Sequence, residues 1–158
     1  MLEIRLMTSD DKPAIMQMLQ ATPEFTPAEI MVAEEVIDCY LRDPSGSGYH
    51  VLVAEIDSLV VGYICYGLTP LTEGTWDIYW MAVAPGKQNL GVGKALLSFA
   101  EDKIKKARGR LSFIETSSKP EYEKTRCFHR SQGYYIVGCI ADFYAPGDDK
   151  IIFQKRLT

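Results

Sequence analysis

A glycine-containing segment in the middle of the chain has the residue types that bind a phosphate group. Gln88-Asn89-Leu90-Gly91-Val92-Gly93-Lys94 follows an apolar, strand-like stretch at 78–83 and leads into a helix-like stretch at 95–107. Glycine has no Cβ atom, so a large anion can approach the backbone closely. A helix that begins here adds unpaired N–H donors and the positive end of its dipole. The segment therefore predicts a pyrophosphate-binding loop.

Two familiar phosphate-binding patterns fail at the residues that carry their chemistry. A Walker A loop would need glycine at position 88 and a hydroxyl at position 95, where the chain has Gln88 and Ala95. The dinucleotide-binding pattern would need a third glycine at position 96, which is Leu96. A plain nucleotide-binding domain is therefore disfavoured, and the pattern that remains is Gln-x-x-Gly-x-Gly.

Length, charge and cysteine spacing exclude several classes of protein. The 158 residues predict one domain, 1–158, and a net charge of −4 argues against nucleic acid as the main partner. No stretch approaches the roughly 18 apolar residues of a membrane span, and residues 1–7 are too short and charged for a signal peptide. The four cysteines form no Cys-x-x-Cys pair and only two histidines accompany them, so a metal site has little support. We expect a cytoplasmic protein with free thiols and no metal.

The segments around the loop alternate between helix and strand patterns. Capping residues followed by proline predict two helices, one beginning near 9–13 and one running from 26 to about 41. A further helix is predicted at 95–107 and another at 122–131. The predicted strands are 2–7, 49–55, 59–68, 75–83, 111–115, 134–140 and 151–156. This order predicts an α+β fold, with a mixed sheet and helices on both of its faces.

Two segments make the chain similar to the GNAT N-acetyltransferase superfamily. Trp80-Met81-Ala82-Val83-Ala84-Pro85, followed by the glycine loop, resembles the superfamily's fourth strand and acyl-CoA loop. Phe128-His129-Arg130-Ser131-Gln132-Gly133-Tyr134 resembles its "Phe/Leu-Tyr-x-x-x-Gly-Phe" helix-to-strand segment. The similarity extends over essentially the whole chain. It implies the GNAT fold, with a mostly antiparallel sheet of about seven strands.

The resemblance implies that acetyl-CoA is the cosubstrate. The pantetheine amides would pair with the strand end like an added strand, and the pyrophosphate would contact the loop. Many members carry Arg or Lys where this chain has Leu90, so backbone donors would carry more of the binding. Tyr122 and Thr125 occupy positions that face CoA in relatives. The implied CoA-binding residues are Met81, Ala82, Val83, Gln88, Asn89, Leu90, Gly91, Val92, Gly93, Lys94, Tyr122 and Thr125.

The resemblance also implies which residues transfer protons. Acetyl transfer from a thioester to an amine needs a neutral amine, a stabilised oxyanion and a proton for the departing thiolate. Glu115 stands where some protein N-terminal acetyltransferases place a glutamate base. His129 stands where the family usually has a tyrosine acid, and the ordinary pKa of histidine is about 6.5. The backbone N–H of Val83 is the implied oxyanion donor.

Alternatives to these roles remain open. Glu115 could be an exposed strand-end carboxylate, with Asp77 or Tyr79 acting through water. His129 could be a structural helix residue, with the acid supplied by a tyrosine (Tyr122 or Tyr144) or by solvent. No covalent step is required, although Cys127 could act as a nucleophile.

The sequence therefore predicts an acetyl-CoA-dependent N-acetyltransferase that acts directly on a primary amine of a small molecule or peptide. The alternative is a non-catalytic acyl-CoA-binding regulatory module, which histidine in place of the family's tyrosine keeps open. No nucleic-acid or membrane partner is expected. Family members often pair as dimers, so a homodimer is possible.

Overall fold

Seven strands form one mixed sheet in the structure, a computed structural model that describes residues 1–158. The strands follow the order β1-β2-β3-β4-β5-β7-β6 across the sheet. Every neighbouring pair is antiparallel except β4 and β5, which are parallel. The strands are β1 (Leu2–Leu6), β2 (His50–Ile56), β3 (Leu59–Leu68), β4 (Thr75–Val83), β5 (Leu111–Ser117), β6 (Tyr135–Ala145) and β7 (Asp148–Arg156).

Four α-helices cover the two faces of this sheet. They are α1 (Lys12–Gln20), α2 (Pro27–Arg42), α3 (Val92–Lys106) and α4 (Glu123–Ser131). Side chains of α1 and α2 pack into one apolar cluster, and those of α3 pack into a second cluster that Phe128 of α4 joins. The predicted α+β fold with helices on both faces is confirmed. No helix has both the length and the apolar character needed to cross a membrane.

The last hairpin differs from its prediction, because β6 and β7 extend beyond the predicted bounds of 134–140 and 151–156 into the segment between them. Only Pro146 and Gly147 connect the two strands. The pairing is irregular between Ile140 and Ala145, and Asp142 lies in the left-handed region at φ 56°. The Asp142 carboxylate accepts the Gly147 N–H at 2.8 Å. Such side-chain to backbone bonds stabilise turns and bulges that a search for alternating residues does not detect.

Candidate active site

Strands β4 and β5 pair over only part of their length and then separate. Their backbones pair at 75–78 and 111–114. The register of β4 against β3 shifts between Trp80 and Ile78, so Tyr79 is an extra residue that forms a β-bulge. A bulge bends a strand and increases its twist. Residues 79–83 consequently have a free edge toward the gap between β4 and β5.

The free edge of β4 carries unpaired backbone groups. The N–H of Ala84 donates to the carbonyl of Val61 at 2.8 Å. Backbone groups alternate in direction along an antiparallel strand, so those of Met81 and Val83 point away from β3 toward the gap. Ala82 points its backbone at β3, and its side chain is buried. Two of the three predicted strand residues therefore present amide groups at the spacing that an added strand would use.

The predicted phosphate loop follows this strand and leads into helix α3. The helix begins at Val92, three residues before its predicted start at 95. Asn89 and Gly91 both adopt positive φ angles, 65° and 79°. Gly91 is the N-cap and supplies no side-chain hydrogen bond. The first helical bond runs from the Ala95 N–H to the Gly91 carbonyl at 3.0 Å, and the N–H groups of 88–94 have no acceptor within the protein. The loop therefore presents a set of free donors at a helix N-terminus, as an anion site requires.

Side chains of the loop have different environments. Gln88, Asn89, Leu90 and Lys94 are exposed, whereas Val92 is buried in the core and anchors the start of α3. A Cβ atom on Gly93 would lie 3.4 Å from the Phe128 ring. Gly93 therefore allows α4 to approach the loop closely, and Gly91 supplies the positive φ angle.

A cavity of about 400 Å³ lies beside the free edge, where β4 and β5 separate. Residues 77–80 of β4 and 115–117 of β5 line it from the sheet side, and aromatic rings contribute much of its wall. The other lining residues are Phe25, Glu29, Lys119, Tyr122, Tyr144 and Asp148. The cavity, the free edge and the phosphate loop thus follow one another along β4.

Glu115 lies in this cavity with its side chain 48% exposed and paired to a lysine. Lys150 Nζ is 2.9 Å from its carboxylate and 4.3 Å from the centre of the Phe143 ring. The Lys150 ammonium therefore occupies one side of the carboxylate that an incoming amine would have to approach. The predicted role of Glu115 as a base stays a prediction, and Lys150 is a partner that sequence reasoning did not identify.

His129 is buried in an aromatic cluster and does not line the cavity. Its ring centre is 5.4 Å from that of Phe153 and 6.4 Å from that of Tyr134, and its Nδ1 atom is buried without a hydrogen-bond partner. Burial lowers the pKa of His129 to about 4. This is well below the ordinary value of about 6.5, because the aromatic cluster disfavours the charged imidazolium. A catalytic role for His129 stays a prediction, and it would have to use the neutral ring at neutral pH.

Two tyrosines that were alternative acids do line the cavity. The Tyr122 hydroxyl donates to the Glu24 carbonyl at 2.8 Å, and burial raises the pKa of Tyr122 well above its ordinary value. Burial also raises the pKa of Tyr144. Tyr122 thus lies in the cavity wall and joins α4 to the segment before α2. Thr125 is half-buried on α4, and the predicted CoA contacts of both residues stay predictions.

Sequence reasoning did not assign several cavity residues to the site. Glu29 lies in the first turn of α2, where its backbone N–H donates to the Thr26 hydroxyl oxygen at 3.2 Å. Phe25, Lys119 and Asp148 gave no local signal, because their meeting depends on how α2 and the β6–β7 hairpin pack. No group of three or more His, Cys, Asp or Glu side chains is placed to hold a metal ion.

Comparison with known proteins identifies the family. Residues 47–136 match the sequence profile described as an acetyltransferase (GNAT) domain. A GNAT-family protein from Desulfovibrio desulfuricans is 38% identical over 100% of both chains, with a TM-score of 0.96. The Escherichia coli ribosomal-protein-S18-alanine N-acetyltransferase is 18% identical over 100% of this chain and 95% of its own, with a TM-score of 0.79.

A second distant structure is yncA from Salmonella typhimurium, solved with its cofactor acetyl-CoA. It is 20% identical over 99% of this chain and 94% of its own, with a TM-score of 0.72. Similarity at this level supports the fold alone. No curated protein sequence is significantly similar. The profile match and the Desulfovibrio structure together establish that the chain belongs to the GNAT acetyltransferase family.

Proposed function

We propose that this protein is a cytoplasmic, acetyl-CoA-dependent N-acetyltransferase that transfers an acetyl group directly to a primary amine of a small molecule or peptide. The observation that supports this most is the continuity of three features along β4. The cavity at 77–80 leads to the free edge at 81–83, and that edge leads to the free N–H groups of 88–94. A ligand with phosphates at one end and amides in its middle would place its far end beside the cavity.

Each part of this arrangement has a chemical task. Acetyl-CoA would supply an acyl group activated as a thioester. The amine nitrogen bonds to the acyl carbon as the C–S bond breaks, the amine loses a proton, and the sulfur gains one. The free N–H groups at the strand edge, those of Met81 and Val83, can pair with the pantetheine amides or donate to the acyl oxygen as negative charge develops there. The acidic cavity attracts an amine, and Glu115 or Asp77 can accept its proton.

The proton for the sulfur has three candidate donors. Tyr122 and Tyr144 line the cavity and stay protonated at neutral pH, because burial raises both pKa values. His129 is neutral and surrounded by aromatic rings. A neutral imidazole can still donate one N–H hydrogen bond, so His129 remains the competing proposal.

A second function is a non-catalytic acyl-CoA-binding regulatory module. The observation that favours it is the buried, neutral His129 at a position where the resemblance expects a tyrosine acid. Such a module would keep the loop and the strand edge and would lack turnover.

Two measurements separate these functions. A rise in melting temperature with acetyl-CoA reports binding to the folded protein, and release of free thiol in the presence of an amine panel reports transfer. Both signals support the enzyme, and a melting shift without thiol release from any amine supports the module. Protection by ATP or NAD but not by CoA would contradict both and favour a nucleotide-binding domain.

A further inference from the structure

The cavity beside β4 holds more negative than positive charge. Four carboxylates line it, belonging to Glu29, Asp77, Glu115 and Asp148. Lys150 pairs with Glu115 at 2.9 Å, and Lys119 pairs with Asp148 at 3.7 Å. Glu29 and Asp77 form no ion pair within 4.0 Å. Lys150 and Lys119 thus each form an ion pair with one carboxylate, and the other two carboxylates have no ion-pair partner.

The two unpaired carboxylates belong to different walls. Asp77 lies on β4, where the Thr69 hydroxyl donates to its carboxylate at 2.5 Å and fixes its position. Glu29 lies in the first turn of α2, which the Thr26 hydroxyl caps. One carboxylate therefore belongs to the sheet wall, next to the free strand edge, and the other to the helical wall.

Aromatic rings line the same cavity as these carboxylates. The rings attract cations through their faces and exclude water from an alkyl chain. A cavity of about 400 Å³ has the size of a small-molecule site. The rings that line it are Phe25, Tyr79, Trp80, Tyr122 and Tyr144.

The pKa of Glu29 indicates that the groups around its carboxylate do not fully stabilise the negative charge. Burial raises the pKa of Glu29, even though Lys119 and the hydroxyls of Thr26 and Tyr122 act in the opposite direction. Burial therefore outweighs the help that the neighbouring groups give to the charged form. A cationic group bound at Glu29 would reverse this balance.

We propose that the acceptor is a dicationic amine, with its reacting nitrogen at Asp77 and a second cationic nitrogen at Glu29, joined by an apolar spacer that the aromatic rings contact. This inference rests on the proposed function and narrows its substrate class. A monoamine would leave one carboxylate without a partner. An amine that carries a carboxylate would leave the same carboxylate without a partner and add a second unpaired negative charge. A diamine and a peptide that begins with lysine both offer the required chemistry.

A matched series of acceptors tests the proposal in the thiol-release assay. 1,4-Diaminobutane, butylamine and 4-aminobutanoate have chains of similar length that end in a cation, a methyl group and an anion. We expect kcat/KM for the diamine to exceed that for butylamine by about tenfold or more, because its second nitrogen can form a charged hydrogen bond with Glu29 that butylamine cannot form. 4-Aminobutanoate should be the poorest acceptor. A short peptide amide that begins with lysine distinguishes the two sources of the dication.

The variant Glu29→Gln should reduce the preference for diamine over butylamine about tenfold, mainly through KM for the diamine. Glu35→Gln removes the same charge from an exposed position on the same helix and should leave the preference unchanged. Equal kcat/KM for diamine and butylamine, or an equal loss for both in Glu29→Gln, overturns the second-cation site and leaves the N-acetyltransferase intact. Absence of thiol release from every amine contradicts the proposed function itself.

Discussion

Gly91 combines a backbone conformation that favours glycine with a position where the pyrophosphate is proposed to bind. Its φ angle is 79°, and no atom lies within 4 Å of the place where a Cβ would be. Gly91→Val would fill that space with side-chain atoms where the pyrophosphate is proposed to approach the N–H groups. We expect the variant to lose most of the rise in melting temperature that acetyl-CoA gives the wild type, as measured by thermal unfolding.

Gly48→Val is the matched control for this change. Gly48 also has a positive φ angle, 82°, and also has no atom near its Cβ position, but it lies between α2 and β2. The two variants share the cost of a β-branched residue in the left-handed region, so they differ mainly in their position. Equal binding of acetyl-CoA by the two folded variants would show that the loop assignment is wrong.

His129 should make folding stability depend on pH. Its pKa is about 4 in the folded protein and about 6.5 in an unfolded chain. Between these values the unfolded state binds more protons, so the stabilisation is complete above about pH 6.5 and is lost as pH falls toward 4. The free energy of unfolding lost across this pH range amounts to ~3 kcal/mol. Urea unfolding at pH 7 and pH 4.5 should show that the free energy of unfolding falls less for His129→Phe than for the wild type.

The same pKa predicts the pH dependence of turnover. Because imidazolium is absent at neutral pH, kcat should show no decline near pH 6.5 on the alkaline side. A pH series of thiol release on the wild type and His129→Phe tests this. A decline near pH 6.5 that disappears in the variant would restore His129 as the acid. A loss of about 10² in kcat without any change of profile would indicate that the neutral ring acts as donor.

The sequence could predict the environment of some site residues but not of others. The free donors of the loop follow from the glycine spacing and from the helix start, both of which are local. The burial of His129 depends on Phe153, which lies 24 residues further along the chain and reaches it only through the pairing of β7. The partner of Glu115, Lys150, likewise comes from a neighbouring strand. The pKa values and ion pairs could not be predicted because they depend on these distant contacts.

Strand β4 is the element on which the whole proposed site is built. Its predicted bounds, 75–83, are those observed, because strand composition and the following Pro85 and Gly86 mark them clearly. The bulge at Tyr79 and the separation from β5 after Ile78 are not visible in the sequence. Alternating residues indicate a strand but do not identify its partner or where pairing ends. The cavity could therefore not be located before the fold was known.

The free edge of β4 can be tested with proline. Val83→Pro removes the N–H that points into the gap, and proline is tolerated at positions whose N–H is not used in the sheet. We expect the variant to keep its circular dichroism spectrum and to lose more than tenfold in kcat/KM for acetyl-CoA, because the N–H proposed to contact the pantetheine or the acyl oxygen is gone. Val83→Ala keeps the N–H and serves as control. A folded Val83→Pro protein with normal turnover would contradict the assigned donor.

At the scale of the whole molecule, β6 leaves one edge of the sheet open. Nearly every residue of this strand is exposed. Edge strands are commonly protected by charged residues or proline, whereas β6 carries six large apolar side chains that are 44–50% exposed. They expose roughly 500 Å². These residues are Tyr135, Ile136, Val137, Ile140, Phe143 and Tyr144.

We propose that a second copy of the chain covers this edge and forms the homodimer that the family resemblance allows. A standard interface buries about 800 Å² per partner, of which a little over half is apolar, so β6 supplies about the required apolar share. Two β6 strands related by a two-fold axis run antiparallel and are complementary by symmetry. Extending the sheet would cover apolar side chains on both faces of β6 at once.

Val137→Lys tests this homodimer. Val137 lies where the pairing of β6 with β7 shifts, and its side chain is 45% exposed. A lysine there should have little effect on the stability of the monomer. In the dimer it would be buried or would face the lysine of the second copy, and both outcomes destabilise the interface. Sedimentation analysis should give a dimer for the wild type and a monomer for Val137→Lys. Leu71→Lys, at a fully exposed apolar residue away from β6, should remain dimeric. A wild-type protein that stays monomeric at high micromolar concentration would show that β6 is not the site of self-association.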